Sequence, residues 1–91
     1  MAVALLRAAR EALTNAARHA PGATVRLVVE FGPQLLRLTV ANGASTRPPS
    51  AGGEPGHGLT GMRERLELAG GRLHAGPDGP GWRVTAEVAV P

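Results

Sequence analysis

The chain has 91 residues, no cysteine, ten basic residues that are all Arg, and a formal charge of +3. That length supports one small core, and the absence of thiols excludes disulfide staples, thiol nucleophiles, zinc ribbons and iron–sulfur ligation. No apolar run nears the roughly 18 residues of a membrane span, and Arg7 and Arg10 follow the first apolar stretch, the reverse of a secretory signal; a cytoplasmic segment without direct membrane contact is expected.

Residues 2–19 hold neither Gly nor Pro and are rich in Ala, Leu, Arg and Glu, which predicts a helix that stops at Pro21-Gly22. At 100° per residue, Leu5, Leu6, Ala9, Leu13 and Ala16 gather on one side. Arg7, Glu11, Asn15 and Arg18 line the other. No capping residue precedes this helix, so the natural element is expected to begin further upstream, making the segment N-terminally truncated.

From Thr24 the period changes to two. Val25, Leu27, Val29 and Phe31 alternate with Arg26, Val28 and Glu30, the turn Gly32-Pro33-Gln34 follows, and Leu36, Leu38 and Val40 form the second arm of an antiparallel hairpin ending at Asn42-Gly43. Ala44 to Gly56 contains three prolines and no strongly apolar residue, which predicts a mobile loop or lid. A second helix fits Leu59 to Ala69, with Leu59, Met62, Leu66 and Ala69 as its buried stripe and Gly70-Gly71 as its stop. Arg72 to Ala75 and Trp82 to Val90 then read as strands, with Trp82, Val84, Ala86, Val88 and Val90 facing inward. The pattern predicts an α+β fold: a two-layer sandwich of helices on one face of a mixed, mainly antiparallel sheet.

Three constellations can carry chemistry. Glu11, Asn15, Arg18 and His19 stand at relative positions 0, +4, +7 and +8 on the first helix, where a carboxylate can accept a proton, an amide oxygen can ligate Mg²⁺ and a guanidinium can hold phosphate. The plainer reading of such a stripe is a solvated helix face. Gly56, His57, Gly58, Leu59, Thr60 and Gly61 open the second helix, where glycines admit a close ligand and unpaired N–H groups favour an anion. The spacing is also GxGxxG, but the dinucleotide fingerprint requires a preceding strand, which Pro48 to Pro55 cannot form. Asn42-Gly43 sets a polar side chain at a strand end beside the loop, although alone it reads as a turn. The three sites bracket the loop. With one Trp, one Phe and no Tyr, the chain has almost nothing on which bases of a nucleic acid would stack, and none is expected as a partner.

The run Arg10-Glu11-Ala12-Leu13-Thr14-Asn15-Ala16-Ala17-Arg18-His19-Ala20 resembles the N box of the catalytic ATP-binding domain of bacterial sensor histidine kinases. Gly56 to Arg65 resembles that family's G2 box, in the form found in kinases paired with LuxR/NarL-type response regulators. The likeness extends from Leu5 to Pro91. It implies the Bergerat-type fold shared with gyrase and MutL, one domain over residues 1–91 with an ATP lid at 44–55, and ATP and Mg²⁺ as ligands. It further implies Glu11 as or near the general base, Asn15 as the Mg²⁺ ligand, and Arg18 and His19 near the phosphates. Gly56, His57, Gly58, Leu59, Thr60 and Gly61 would form the phosphate-side loop, and Asn42 and Gly43 the base-binding strand end.

The family usually places an Asp, hydrogen-bonded to the adenine amine, where this chain has Asn42; the amide oxygen can still accept from an amine but lacks the charge. The dimerisation domain that carries the phosphoacceptor histidine is not part of the sequence. It is the implied partner, with a response regulator downstream. The alternative reading is a degenerate or anti-sigma-like regulatory module that binds nucleotide or protein without phosphotransfer.

Overall fold

A computed structural model describes residues 2–46 and 57–90. The elements are helix α1 (Ala2–His19), strands β1 (Val25–Phe31) and β2 (Leu35–Asn42), helix α2 (His57–Leu68), and strands β3 (Gly71–Asp78) and β4 (Gly81–Ala89). The strands form one sheet in the order β1-β2-β4-β3, and every pairing is antiparallel. Both helices lie on one face of it, α1 over β2 and β4 and α2 over β3 and β4, and they pack against each other. The two-layer α+β arrangement is therefore the one the alternation predicts.

The core consists of Leu5, Ala8 and Ala12 from α1, Met62 and Leu66 from α2, and Leu38, Val40, Leu73, Val84, Ala86 and Val88 from the sheet. Their strand positions are consistent with the register, since Val40 faces Val84, Leu38 faces Ala86 and Ala86 faces Leu73. On the opposite face, Arg37 lies between Glu30 and Glu87 at 3.8 and 3.5 Å, three side chains brought abreast on adjacent strands. Such partly exposed pairs contribute at most about 1 kcal/mol each, so the helix side supplies most of the stability.

The buried face of α1 differs from the one the Leu-weighted pattern indicates. Leu5, Ala8, Ala12, Ala16 and Ala20 are buried, whereas Leu6 is 69% and Leu13 40% exposed. A stripe of alanines lets the helix approach the sheet and α2 more closely than one carrying leucines would, and close packing outweighs the hydrophobicity of two side chains. The helix is thereby rotated, and Glu11 and Asn15 become half-buried at the edge of the packed face instead of opposite it.

β1 is a second departure. All seven of its residues are exposed, including Val25, Leu27, Val29 and Phe31, because the helices cover the other three strands. β3 is longer than expected, reaching Asp78, so that Gly79-Pro80 alone connects it to β4. At the end of α2, Ala69 is exposed, and Gly70 takes the left-handed conformation (φ +81°) that closes the helix. α2 itself begins at His57, earlier than the predicted Leu59. Of the expected lid, residues 47–55 lie outside the described residues.

Leu66 is 0% exposed and Leu68, two positions on, is 89% exposed. Leu66→Ala is expected to destabilise the fold by about 2–5 kcal/mol in denaturant melts, and Leu68→Ala to stay within about 0.5 kcal/mol.

Candidate functional site

The core does not extend to the end of the sandwich where β2 finishes and β4 begins. There a cavity of about 770 Å³ opens, within the range of small-molecule sites. One wall is the C-terminal half of α1, with Glu11, Ala12, Asn15, Ala16, Arg18 and His19, continued by Ala20 just beyond it. The other is the sheet end, with Val40, Asn42, Gly43 and Ser45 on one side and Pro80, Gly81, Trp82 and Val84 on the other. Leu59 closes it from α2.

The rotation of α1 produces the polar wall. Once Ala12 and Ala16 face the sheet, Glu11 and Asn15, each one position before them, stand beside the packed face and border the cavity, one helical turn apart. Arg18 and His19 occupy the last turn of α1, where cations are favoured by the carbonyl end of the helix. The cavity therefore carries a carboxylate and an amide at mid-height and basic groups toward the helix end.

On the sheet side, the two-residue period carries the line of Val40 and Val84, both buried, outward to their neighbours Asn42 and Trp82. Asn42 and Trp82 are register partners and project on the helix side just past the core. The Asn42 Nδ2 donates to the Gly43 carbonyl at 2.9 Å. Gly81 lies against the Asn42 carbonyl, so a β-carbon there would collide with it. The chain leaving β2 is tied to the exit of α1. Ser45 Oγ (3.1 Å), Thr46 N (3.1 Å) and Thr46 Oγ1 (3.4 Å) all donate to the Pro21 carbonyl.

Of the predicted site residues, Glu11, Asn15, Arg18, His19, Asn42, Gly43 and Leu59 meet at this cavity. Thr60 and Gly61 lie in the first turns of α2 and do not line it. Gly56 lies outside the described residues, and His57 and Gly58 begin α2. Trp82, Pro80 and Gly81 belong to the wall without any motif to mark them. From alternation Trp82 reads as core, yet it is 39% exposed. Its placement follows only from the β2–β4 register, which sets it opposite Asn42.

This fold and cavity define a class: a helix-covered antiparallel sheet holding a ligand-sized cleft between its end and the first helix. Histidine kinases are among the solved structures it matches. The catalytic domain of histidine kinase ThkA superposes with a TM-score of 0.69 at 18% identity, covering 92% of this chain and 65% of that one. The Acinetobacter baumannii histidine kinase AdeS superposes with a TM-score of 0.73 at 15% identity, covering 94% of this chain and 45% of that one.

In sequence the chain is related to the sensor histidine kinase DesK of Bacillus subtilis, 37% identical over 65 residues, which is 71% of this chain and 18% of DesK. It is also related to the histidine-protein kinase/phosphatase UhpB of Salmonella typhimurium, 38% identical over 71 residues, 78% of this chain and 14% of UhpB. The chain thus spans less than a fifth of the length of these relatives. No family model matches it. The fold is that of a histidine-kinase catalytic domain, and the sequence is homologous to sensor histidine kinases.

Because Gly81 abuts the Asn42 carbonyl, Gly81→Ala is expected to destabilise the chain by about 1–3 kcal/mol and to displace the cavity wall. Thermal melts, with amide shifts of Asn42 and Gly43 in NMR spectra, check both effects.

Proposed function

We propose that this chain is the ATP-binding catalytic domain of a two-component sensor histidine kinase, transferring the γ-phosphoryl group of ATP to a histidine on a separate dimerisation domain. The observation that carries the reading is the cavity in which Glu11 and Asn15 on α1 stand across from the end of β2, in a chain related to DesK and UhpB. Its volume suits a nucleotide, and its lining combines basic groups, a carboxylate, amides and an indole.

In the transfer, the γ-phosphorus bonds to the acceptor imidazole nitrogen as its bond to the β–γ bridging oxygen breaks. ADP leaves, and the imidazole N–H proton passes to Glu11. Arg18 and His19 offset phosphate charge, helped by the N–H groups at the start of α2, so positioning and charge neutralisation carry most of the rate. Mg²⁺ fits the residues present. Asn15 offers a hard oxygen on the cavity wall, and Mg²⁺ is an ion that takes one or two protein oxygens and completes its shell with water and phosphate. When bound, it would supply charge neutralisation at the phosphates.

No helix among the described residues is long and apolar enough to cross a membrane; a cytoplasmic position for this segment is part of the proposal. A LuxR/NarL-type response regulator is the proposed recipient of the phosphoryl group. The reading without transfer, a regulatory nucleotide-binding module, draws on one feature, Asn42 in the usual place of an Asp. Reconstitution with an acceptor domain separates the two.

In such a reconstituted kinase, Glu11→Gln is expected to lower phosphotransfer by about 10²–10⁴-fold while ATP affinity falls far less. Undiminished transfer would remove Glu11 as the base. Asn15→Ala is expected to abolish the Mg²⁺-dependent part of the rise in melting temperature caused by an ATP analogue, read by thermal shift with and without the ion.

A further inference from the structure

We infer that the outer edge of β1 is a self-pairing surface: two copies of this chain join antiparallel along β1, centred on Val28, into one continuous sheet. β1 contributes no residue to the cavity wall, so this surface is separate from the site described above.

Among the described residues, β1 is paired on one side only. The opposite edge strand, β3, carries Gly76-Pro77, a break that discourages pairing with another chain. The seven residues of β1 include neither Gly nor Pro, and all are exposed. Val25, Leu27, Val29 and Phe31 stand outside the helix layer, with Phe31 83% exposed. An apolar edge of this kind is a template for a further strand.

The phase of its hydrogen bonds restricts how that strand can sit. At one end of β1, Gly43 N donates to the Thr24 carbonyl at 3.1 Å, and at the other Gly32 N donates to the Leu35 carbonyl at 2.8 Å. Backbone groups alternate sides along a strand, so Arg26, Val28 and Glu30 share that phase and bond to β2. Val25, Leu27, Val29 and Phe31 turn their N–H and C=O groups to the open edge. A second β1 running antiparallel must therefore set these residues opposite their own kind. One such register uses the whole strand, with Val25 opposite Phe31, Leu27 opposite Val29, and Val28 opposite itself on the two-fold axis.

That register also sets Arg26 of each copy opposite Glu30 of the other. Sliding to the next register the backbone allows puts Val28 opposite Arg26 or opposite Glu30, which loses both charge pairs. The strand is thus complementary to its own reverse in charge as well as in apolar pattern, and this selects a second copy as the occupant of the edge.

The charges also continue a row already present on the face away from the helices. Arg72 stands opposite Glu87, Glu87 opposite Arg37, and Arg37 opposite Glu30. Arg37 lies 3.5 Å from Glu87 and 3.8 Å from Glu30. The alternation reaches the open edge on an acid, and Arg26 of the second copy supplies the next cation. On the helix side the same pairing lays Leu27 beside Val29 and Val25 beside Phe31. Directly opposite side chains lie roughly 4.5–5.5 Å apart at Cβ, and aliphatic, aromatic and opposite-charge pairs all contribute at that spacing.

The full chain, its fold verified by circular dichroism, is examined by sedimentation equilibrium from about 1 μM to 1 mM. A monomer–dimer equilibrium is expected within that range. Arg26→Glu sets like charges opposite each other at both ends of the pairing and is expected to weaken the dimer by about tenfold or more. The register is read by cross-linking, for which the chain has no competing cysteine. Residues facing across the axis at Val28 form a non-hydrogen-bonded pair with α-carbons roughly 4.5 Å apart, within disulfide reach. Val28→Cys is therefore expected to give a disulfide-linked dimer under mild oxidation. Val25→Cys, whose thiol would stand opposite Phe31, is expected to give little.

A folded chain that stays monomeric to the top of the range overturns the inference. So does a dimer as tight in Arg26→Glu as in the original chain, or one in which Val25→Cys cross-links as readily as Val28→Cys, since each places the contact on another surface or in another register.

Discussion

The close approach of α1 to the sheet is the constraint on which the rest of the molecule depends. Ala8, Ala12, Ala16 and Ala20 place a stripe without bulk against β2, β4 and α2, and dispersion contacts reward that approach only if the helix is turned so that the alanines face inward. The same rotation sets the height and direction of Glu11 and Asn15. A helix seated on Leu6 and Leu13 would stand further off and carry both polar groups away from the cleft. Packing and chemistry are thus two consequences of one helix orientation.

Much of this was legible in the residues, and the rest fails for identifiable reasons. The helices and hairpins follow from periodicity and from Gly and Pro punctuation, so α1, β1, β2 and α2 fall within a few residues of their expected bounds. The buried face of α1 is misread because hydrophobicity ranks Leu above Ala, whereas fit to a neighbouring surface ranks shape first. The apolar alternation of β1 is exposed because two helices are spread over the other three strands, which alternation along one strand cannot report. Glu11, Asn15 and Asn42 are visible through motif and spacing. Trp82 is not, since its role comes from a partner forty residues earlier in the chain.

The two faces of the sheet are sustained differently. On the helix side, aliphatic burial dominates, and Leu66 and Val88 are sealed completely. On the far side, Glu30, Arg37 and Glu87 form a cross-strand row that is ionic and partly exposed. Added salt therefore weakens the far-side row and spares the core. β1 takes little from either source, as an edge strand with Val25, Leu27, Val29 and Phe31 outside the helix layer, and it depends chiefly on its ladder with β2.

The triple acceptance at the Pro21 carbonyl has a mechanical meaning. Three donors from Ser45 and Thr46 converge on the Pro21 carbonyl, two residues beyond the end of α1. The point where the chain departs from the sheet is thus riveted to the far end of the helix that carries Glu11 and Asn15. The Ser45 rim of the cleft and the helix that forms its polar wall are therefore joined through one peptide group.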